Sequence, residues 1–294
     1  MGPGATQGAA VHRTALTLAV AAALTALTAM SACTALGRAA DDRSGRGDDA
    51  SRARAVAALR SADRSTDGAG SARVESTTTM GAAMSMRAVG TLSWEDGLTG
   101  GLTLTYTGGA AADVLRRLGS TSTAVRYLPD ASYARMGDAF AAKARGRHWV
   151  RHGYEDLDAG MRATTPHESV RLLLASGDVT ETGRERVRGE RTTHYTGTVD
   201  VAGLAARKPG PGASRTAELG RRLARAGVVG QTVDVWIDDR DLLVKKVERA
   251  RTTSGEVTQT AYFTDYGVKV SVQAPPAGDT ADLTDLVDAP DGRS

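Results

Sequence analysis

The sequence predicts an α+β protein: a large antiparallel sheet with helices laid over one face. Three observations carry that expectation. Apolar or small residues alternate with polar ones from Met84 to Tyr106, the same period of two returns from Gln231 to Val272, and stretches of helical spacing lie between, such as Val170, Leu173 and Leu174. A sheet with one apolar face cannot leave that face in water, and helices are the available cover.

The N-terminal region precedes this pattern. No charge falls between Ala15 and Met30, His12-Arg13 stand just before the run, and Ser31-Ala32-Cys33 close it, which is the pattern of an export signal. The run is shorter than the roughly 20 residues that a membrane helix needs. Ending in small residues and the only cysteine, it resembles the bacterial lipoprotein signal, or lipobox, with Met30 where Leu is usual. The resemblance implies removal of residues 1–32 and acylation of Cys33, which would hold the chain at the extracytoplasmic face of the cell membrane. Each buried methylene contributes about 0.8 kcal/mol, so two or three acyl chains anchor a protein firmly. An acylated Cys33 leaves no thiol for a disulfide, for catalysis or for a metal.

Composition narrows the function further. A formal net charge of +3 over 294 residues is too near balance for a nucleic-acid partner. The dominance of arginine over lysine, with abundant alanine and glycine, reflects a GC-rich coding bias more than a function.

Taken in order, residues 33–54 read as a flexible tether of Gly, Ala, Asp, Arg and Ser. A short helix is expected over Ala50–Ala62, with Val56 and Leu59 on one face. Val74 to Tyr106 reads as a three-stranded meander turning at Glu95-Asp96-Gly97, with one apolar and one wet face. A helix at Ala111–Leu118 follows, then strands at Thr121–Leu128 and Ser132–Met136 joined by Pro129-Asp130, and a brief strand at His148–Val150. Helical patches are expected at Tyr154–Met161 and Pro166–Ala175, the second opening on a proline suited to a first turn. Thr180–Glu190 and Thr193–Val201 form a hairpin, Lys208–Gly212 a loop, and Ser214–Arg225 a helix. Four strands are expected across Gln231–Val272, ended by Ala274-Pro275-Pro276 and an acidic tail.

Several local signals do not amount to chemistry. His167-Glu168 lacks the second histidine of a zinc protease and reads as helix-end charge. Asp238, Asp239 and Asp241 lack the glycine and distal glutamate of a calcium loop and read as a hairpin turn. His148 and His152 beside Trp149 read as a solvated strand edge. Neither Gly68-Ala69-Gly70 nor Gly210-Pro211-Gly212 is a phosphate loop, and there is no nucleophile elbow. No catalytic residue, metal ligand or cofactor is nominated, and the chain is not expected to be an enzyme.

With these elements in place, Thr193-His194-Tyr195-Thr196-Gly197-Thr198-Val199-Asp200, Val233-Asp234-Val235-Trp236-Ile237-Asp238, and Phe263 to Val270 running into Ala274-Pro275-Pro276 resemble the LolA-like carriers and the LppX/LprG lipid-binding lipoproteins of actinobacteria. The resemblance implies one domain over residues 55–289: a strongly curved antiparallel half-barrel sheet whose concave face is covered by helices. It also implies a lipid or lipid-like ligand in an apolar cavity, and membrane attachment through Cys33. The inward positions then expected to line the cavity are Met84, Met86, Leu92, Trp94, Leu102, Leu104, Tyr106, Val233, Val235 and Ile237. Small residues such as Ala88, Gly90 and Gly100 would leave it room, and flexible methionines suit an irregular apolar guest. Read without the resemblance, a period-two apolar face is core by default. The alternative function is an envelope sensor or assembly lipoprotein that binds a protein partner and transports no lipid.

Overall fold

The computed structural model describes residues 38–117, 119–154, 165–206 and 213–287. Cys33, the helical patch after Tyr154 and the 208–212 loop lie outside them. The strands of the unit Ser44–Ser294 are β1 (Ser71–Met80), β2 (Met84–Ser93), β3 (Thr99–Gly108), β4 (Ser122–Tyr127), β5 (Ala131–Arg135), β6 (Trp149–Gly153), β7 (Thr180–Val187), β8 (Glu190–Val199), β9 (Val228–Asp238), β10 (Leu243–Thr252), β11 (Gly255–Thr264) and β12 (Thr280–Asp282). The helices are α1 (Arg38–Gly68), α2 (Gly109–Arg117), α3 (Asp138–Ala141), α4 (Pro166–Ser176), α5 (Val201–Ala205), α6 (Ala213–Arg225) and α7 (Leu283–Val287).

The described strands make one open, curved sheet in the order β12-β6-β5-β4-β3-β2-β1-β11-β10-β9-β8-β7. Every neighbouring pair is antiparallel except β12 with β6. Strands consecutive in sequence pair to build each flank, some through hairpins and some across helices, and the two flanks meet where β1 pairs with β11, Val74 lying opposite Phe263. On the inner face, Val74, Leu92, Leu102, Val125, Val233, Val235, Ile237, Leu243 and Phe263 form one core with residues of α1 and α4.

The expected meander, its following strands, the β7–β8 hairpin and the helices α2, α4 and α6 are all present. Helix α1 departs from expectation by starting at Arg38, inside the segment read as tether. Alanine and arginine are strong helix formers, and glycine is sparse over that stretch. Its buried stripe is Ala55, Leu59, Ala62 and Thr66, the spacing of one helical face.

Two further departures have physical reasons. The fourth C-terminal strand is absent, because β11 is already paired on both sides by β10 and β1 and offers no free ladder. Instead the chain crosses the strand ends: Gly267 N–H donates to Ser71 O (3.0 Å), Ser71 Oγ–H to Val268 O (2.6 Å), and Arg126 to Gln273 O (3.0 Å). Beyond the prolines it forms β12, which the sequence did not announce, along β6. His148–Val150 is therefore no solvated edge: Trp149 is buried beneath the Arg126 guanidinium, and His148 Nδ1 lies 2.7 Å from Asp279 Oδ1.

The glycines of the meander also serve a different purpose from the one expected. A Cβ on Gly90 would stand 2.0 Å from Gly101 O, and one on Gly100 (φ +146°) would stand 2.2 Å from Thr91 O. They permit β2 and β3 to approach and coil, a device of strongly bent sheets.

Candidate functional site

Helix α4 is positioned by its own ends and by one sheet contact. Pro166 occupies its first turn, Thr165 and Glu168 form a reciprocal capping box, and Gly177 ends it in the left-handed conformation (φ 73°). Leu173 then sits over Gly197 of β8, where an added Cβ would come within 2.6 Å of it. Helix α1 is tied alongside. Arg171 of α4 reaches Asp63 (2.8 Å) and Asp67 (2.9 Å) of α1, and His167 Nδ1 lies 3.3 Å from Asp67. Burial, then the Arg171 charge, holds the His167 imidazole below its ordinary pKa, while burial pushes the Asp63 carboxyl up. Trp94 packs edge-on against His167 and Tyr266 and donates from Nε1 to Asp67 O (3.0 Å).

The ten positions expected to line a cavity divide into two groups. Leu92, Trp94, Leu102, Val233, Val235 and Ile237 are buried in the core beneath the helices, and Leu104 packs against its margin. Met84, Met86 and Tyr106 stand outside that core and are half-buried, at the end of the inner face nearest the β1–β2 turn. Met80, which pairs with Met84, joins them.

The polar side of the same face is not evident from the sequence. Register is continuous along one row that crosses five strands: Glu248 opposite Gln259, Gln259 opposite Thr78, Thr78 opposite Met86, and Met86 opposite Tyr106. The inner face thus carries a polar flank on β10, β11 and β1 and a soft apolar flank on β2 and β3. Behind the polar flank lies Lys246, whose Nζ donates to Ser169 Oγ of α4 (2.9 Å) and to Glu248 Oε1 (3.2 Å). Lys246 is 1 % exposed. Gln231, diagonal to Glu248 across β9 and β10, is buried too, and no partner among the described residues reaches its Oε1.

A register shift explains why these groups escape a reading of the sequence. Between Leu243 and Lys245 the β9–β10 pairing slips by one residue. Leu243 joins the inner core, whereas Val244 and Val247 fall with Trp236 in a separate cluster on the outer face. A bulge inverts the alternation that follows it. An unbroken strand would place Lys246 and Glu248 outside, which is what regular alternation with Leu243 leads one to expect.

On the apolar flank, burial, then the neighbouring Tyr154 and Tyr106, pushes the Tyr127 phenol up to about 12, so it stays neutral at any physiological pH. The outer face is different in kind. His194 stacks on Trp236 (4.1 Å), Lys245 lies 3.8 Å from the Trp236 ring and the Arg188 guanidinium 3.7 Å from the Tyr262 ring. Two surface grooves, of about 450 and 270 Å³, lie at the tips of the β7–β8 and β9–β10 hairpins and are lined mainly by arginines, glutamates and aspartates. They share no lining residue with that row. Asp238 acts there as a turn residue, accepting from Arg240 N–H (2.9 Å) and Leu242 N–H (2.8 Å). No described helix is long and apolar enough to cross a membrane.

Comparison with known proteins agrees with this architecture. The chain is 52% identical over 241 residues to a protein of Streptomyces coelicolor that carries the name of a lipoprotein, spanning 78% of this chain and 75% of that one. It is 46% identical over 249 residues to a 31.2 kDa protein of Streptomyces griseus encoded in the rplA–rplJ intergenic region, spanning 81% and 82%. The chain belongs to this lipoprotein family. No family model matches it. The fold of this chain is like that of Mycobacterium tuberculosis LppX: the structures superpose with a TM-score of 0.50 at 16% identity, over 74% of this chain and 98% of LppX. Mycobacterium bovis LprF gives a TM-score of 0.42 at the same identity, over 76% and 97%. The sequence-based expectation of a LolA/LppX-like half-barrel with helices on its inner face therefore holds.

Proposed function

We propose that the protein is an exported lipoprotein, anchored through acylated Cys33 at the extracytoplasmic face of the cell membrane, that holds a hydrophobic, lipid-like ligand on its inner face and catalyses no reaction. The observation that carries the reading is the end of that face where Met80, Met84, Met86 and Tyr106 stand half-exposed outside the core. Such side chains are ordinarily buried, and a contiguous soft apolar surface that is not core marks a site for an apolar partner. Leu104 borders it, Leu92, Leu102, Val233, Val235 and Ile237 form the adjoining core, and Trp94 joins the helices that cover that core. Binding is driven by burial: acyl chains leave water for this surface. The likeness to LppX supports a carrier architecture, and residues 33–54 bridge the membrane and the domain.

The test is extraction of the purified full chain with organic solvent, followed by mass spectrometry. Lipid in near-stoichiometric amount is the expected result, reduced severalfold in a Met86→Glu variant that melts at the wild-type temperature. A preparation that carries no lipid, takes up none from vesicles and instead retains a protein partner would replace this reading with that of a sensor or assembly factor. For the anchor, Cys33→Ala is expected to move the protein out of the membrane fraction.

A further inference from the structure

We propose that the rim of the sheet where β1 turns into β2 is a separate interaction surface, which lays the domain on an anionic phospholipid bilayer and points the opposite rim away from it. The proposal concerns the outside of the domain and holds whatever the inner face carries. Register gathers the elements of this rim: Met80 lies opposite Met84 and Val257, Ser85 opposite Gly108, and Thr252 opposite Val228 and Gly255. The turn 81–83, the start of α2, the β10–β11 turn and the exit of α6 into β9 therefore stand at one end of the strands. The crossing from β5 to β6, residues 136–148, joins them on the far side. Backbone bonds stitch neighbours together: Ala110 N–H donates to Ala82 O (3.1 Å), Ala111 N–H to Ala83 O (3.0 Å) and Thr253 N–H to Gly227 O (3.0 Å).

The rim is apolar near its centre. Ala82 and Ala83 are exposed with Met80 and Met84 half-buried beside them. The exposed large aliphatic side chains among the described residues are Val114 of α2 (51%) and Val229 of β9 (59%), one on each side of that turn in sheet order. Its shoulders are cationic. Arg116 and Arg117 end α2, Lys143, Arg145 and Arg147 lie on the 136–148 crossing, and Arg221 and Arg225 on the last turns of α6. Carboxylates are fewer: Asp113 pairs with Arg116, Glu218 with Arg221 and Arg225, and Asp138 and Asp279 face His148. The other rim has the reverse character, its turns carrying Glu95, Asp96, Asp130, Asp239, Asp241 and Asp265 against Arg188, Arg240 and Lys269. The ten residues of β1 hold the rims about 33 Å apart, several times the screening length of about 8 Å at physiological salt, so each presents its own field. Aliphatic groups flanked by guanidinium and ammonium groups suit the headgroup layer, where the former reach the acyl boundary and the latter meet phosphates. These groups are spread from β6 to β9, so an extended surface engages them together where a single peptide would not.

The experiment attaches an environment-sensitive fluorophore to one new cysteine at a time in the full chain on vesicles: Val114→Cys and Val229→Cys on this rim, Asp96→Cys on the other. Brominated acyl chains report contact with the bilayer. On phosphatidylglycerol-rich vesicles the Val114→Cys and Val229→Cys labels are expected to be quenched severalfold more than the Asp96→Cys label. Most of that difference should vanish at high salt or on phosphatidylcholine alone, while the protein stays bound through its anchor. Arg116→Glu/Arg117→Glu should reduce quenching of the Val114→Cys label severalfold with the melting temperature unchanged. Equal quenching at both rims, or quenching indifferent to anionic lipid and to the arginine variant, overturns the proposal. No quenching on any vesicle, with a protein cross-linked at Val114→Cys, replaces the bilayer by a protein partner. Wild type that takes up the dye would refute acylation of Cys33 and leave the docking surface standing; the same labels in a Cys33→Ala background then read it.

Discussion

Lys245 and Lys246 are adjacent in sequence, yet the register slip puts them on opposite faces of the sheet, and replacing each by methionine measures the consequence. Lys246→Met removes the partner of a half-open carboxylate and the donor to Ser169. Breaking a buried pair in this way costs about 3–5 kcal/mol, and the residual exposure of Glu248 places this case near about 3 kcal/mol. In a domain of this size each kcal/mol lowers the melting temperature by about 2–4 °C, so a loss of about 6–12 °C is expected. Lys245→Met loses a cation–π contact with Trp236 at the surface, about 0.5–1 kcal/mol and about 1–4 °C. The double variant Lys246→Met/Glu248→Met removes both members of this pair and is expected to recover part of the loss of Lys246→Met. Calorimetry and urea titration both read these differences. Equal losses for the two single lysine variants, or a double variant less stable than Lys246→Met, would refute the placement of Lys246 and Glu248 on the inner face.

Three further outcomes are expected. Gly90→Val should prevent folding into the native sheet, because its Cβ would stand 2.0 Å from Gly101 O; soluble yield and far-ultraviolet dichroism check it. Leu173→Ala, at a fully buried site between α4 and β8, should cost about 2–5 kcal/mol in urea unfolding and increase protease cleavage around Ser176. Stability should fall as pH drops from 7 through the imidazole range. Burial and Arg171 keep His167 neutral in the folded protein, so below about 6.5 the unfolded chain binds the extra proton. Asp63, whose carboxyl is raised by burial, acts in the opposite sense: its contribution is complete below the ordinary carboxylate value and is lost as pH rises through its folded value. His167→Gln should therefore flatten the profile between pH 7 and 5 while leaving the response near pH 4 intact.

Much of the architecture was legible because strands with one buried face declare themselves by alternation. The meander from Val74 to Tyr106 needed no more than its own pattern, and α4 was marked by Pro166, Glu168 and Gly177. What the sequence concealed depends on pairing partners. Val268, Val270 and Val272 alternate like a strand and remain half-buried on one side, but whether a ladder is free for them is decided by β1, almost 200 residues earlier. The short β12 has too few residues for any period. Half of the candidate site was equally hidden: Met84, Met86 and Tyr106 were visible as inward positions, whereas Lys246 and Glu248 turned inward only through a one-residue slip that no hydropathy pattern records.

The pairing of β1 with β11 also governs when the surface proposed to face a ligand comes into being. The soft wall of that surface, on β2 and β3, is made by hairpins near the start of the domain, and its hydrogen-bonding wall, on β10 and β11, by hairpins near the end. Neither wall encloses anything alone, and contacts between such distant segments form late and slowly. On the proposed reading, an exported chain has no complete inner face until Gly255–Thr264 has arrived and joined the sheet at its middle, so a truncated molecule would be tethered to the membrane yet have nowhere to receive a lipid.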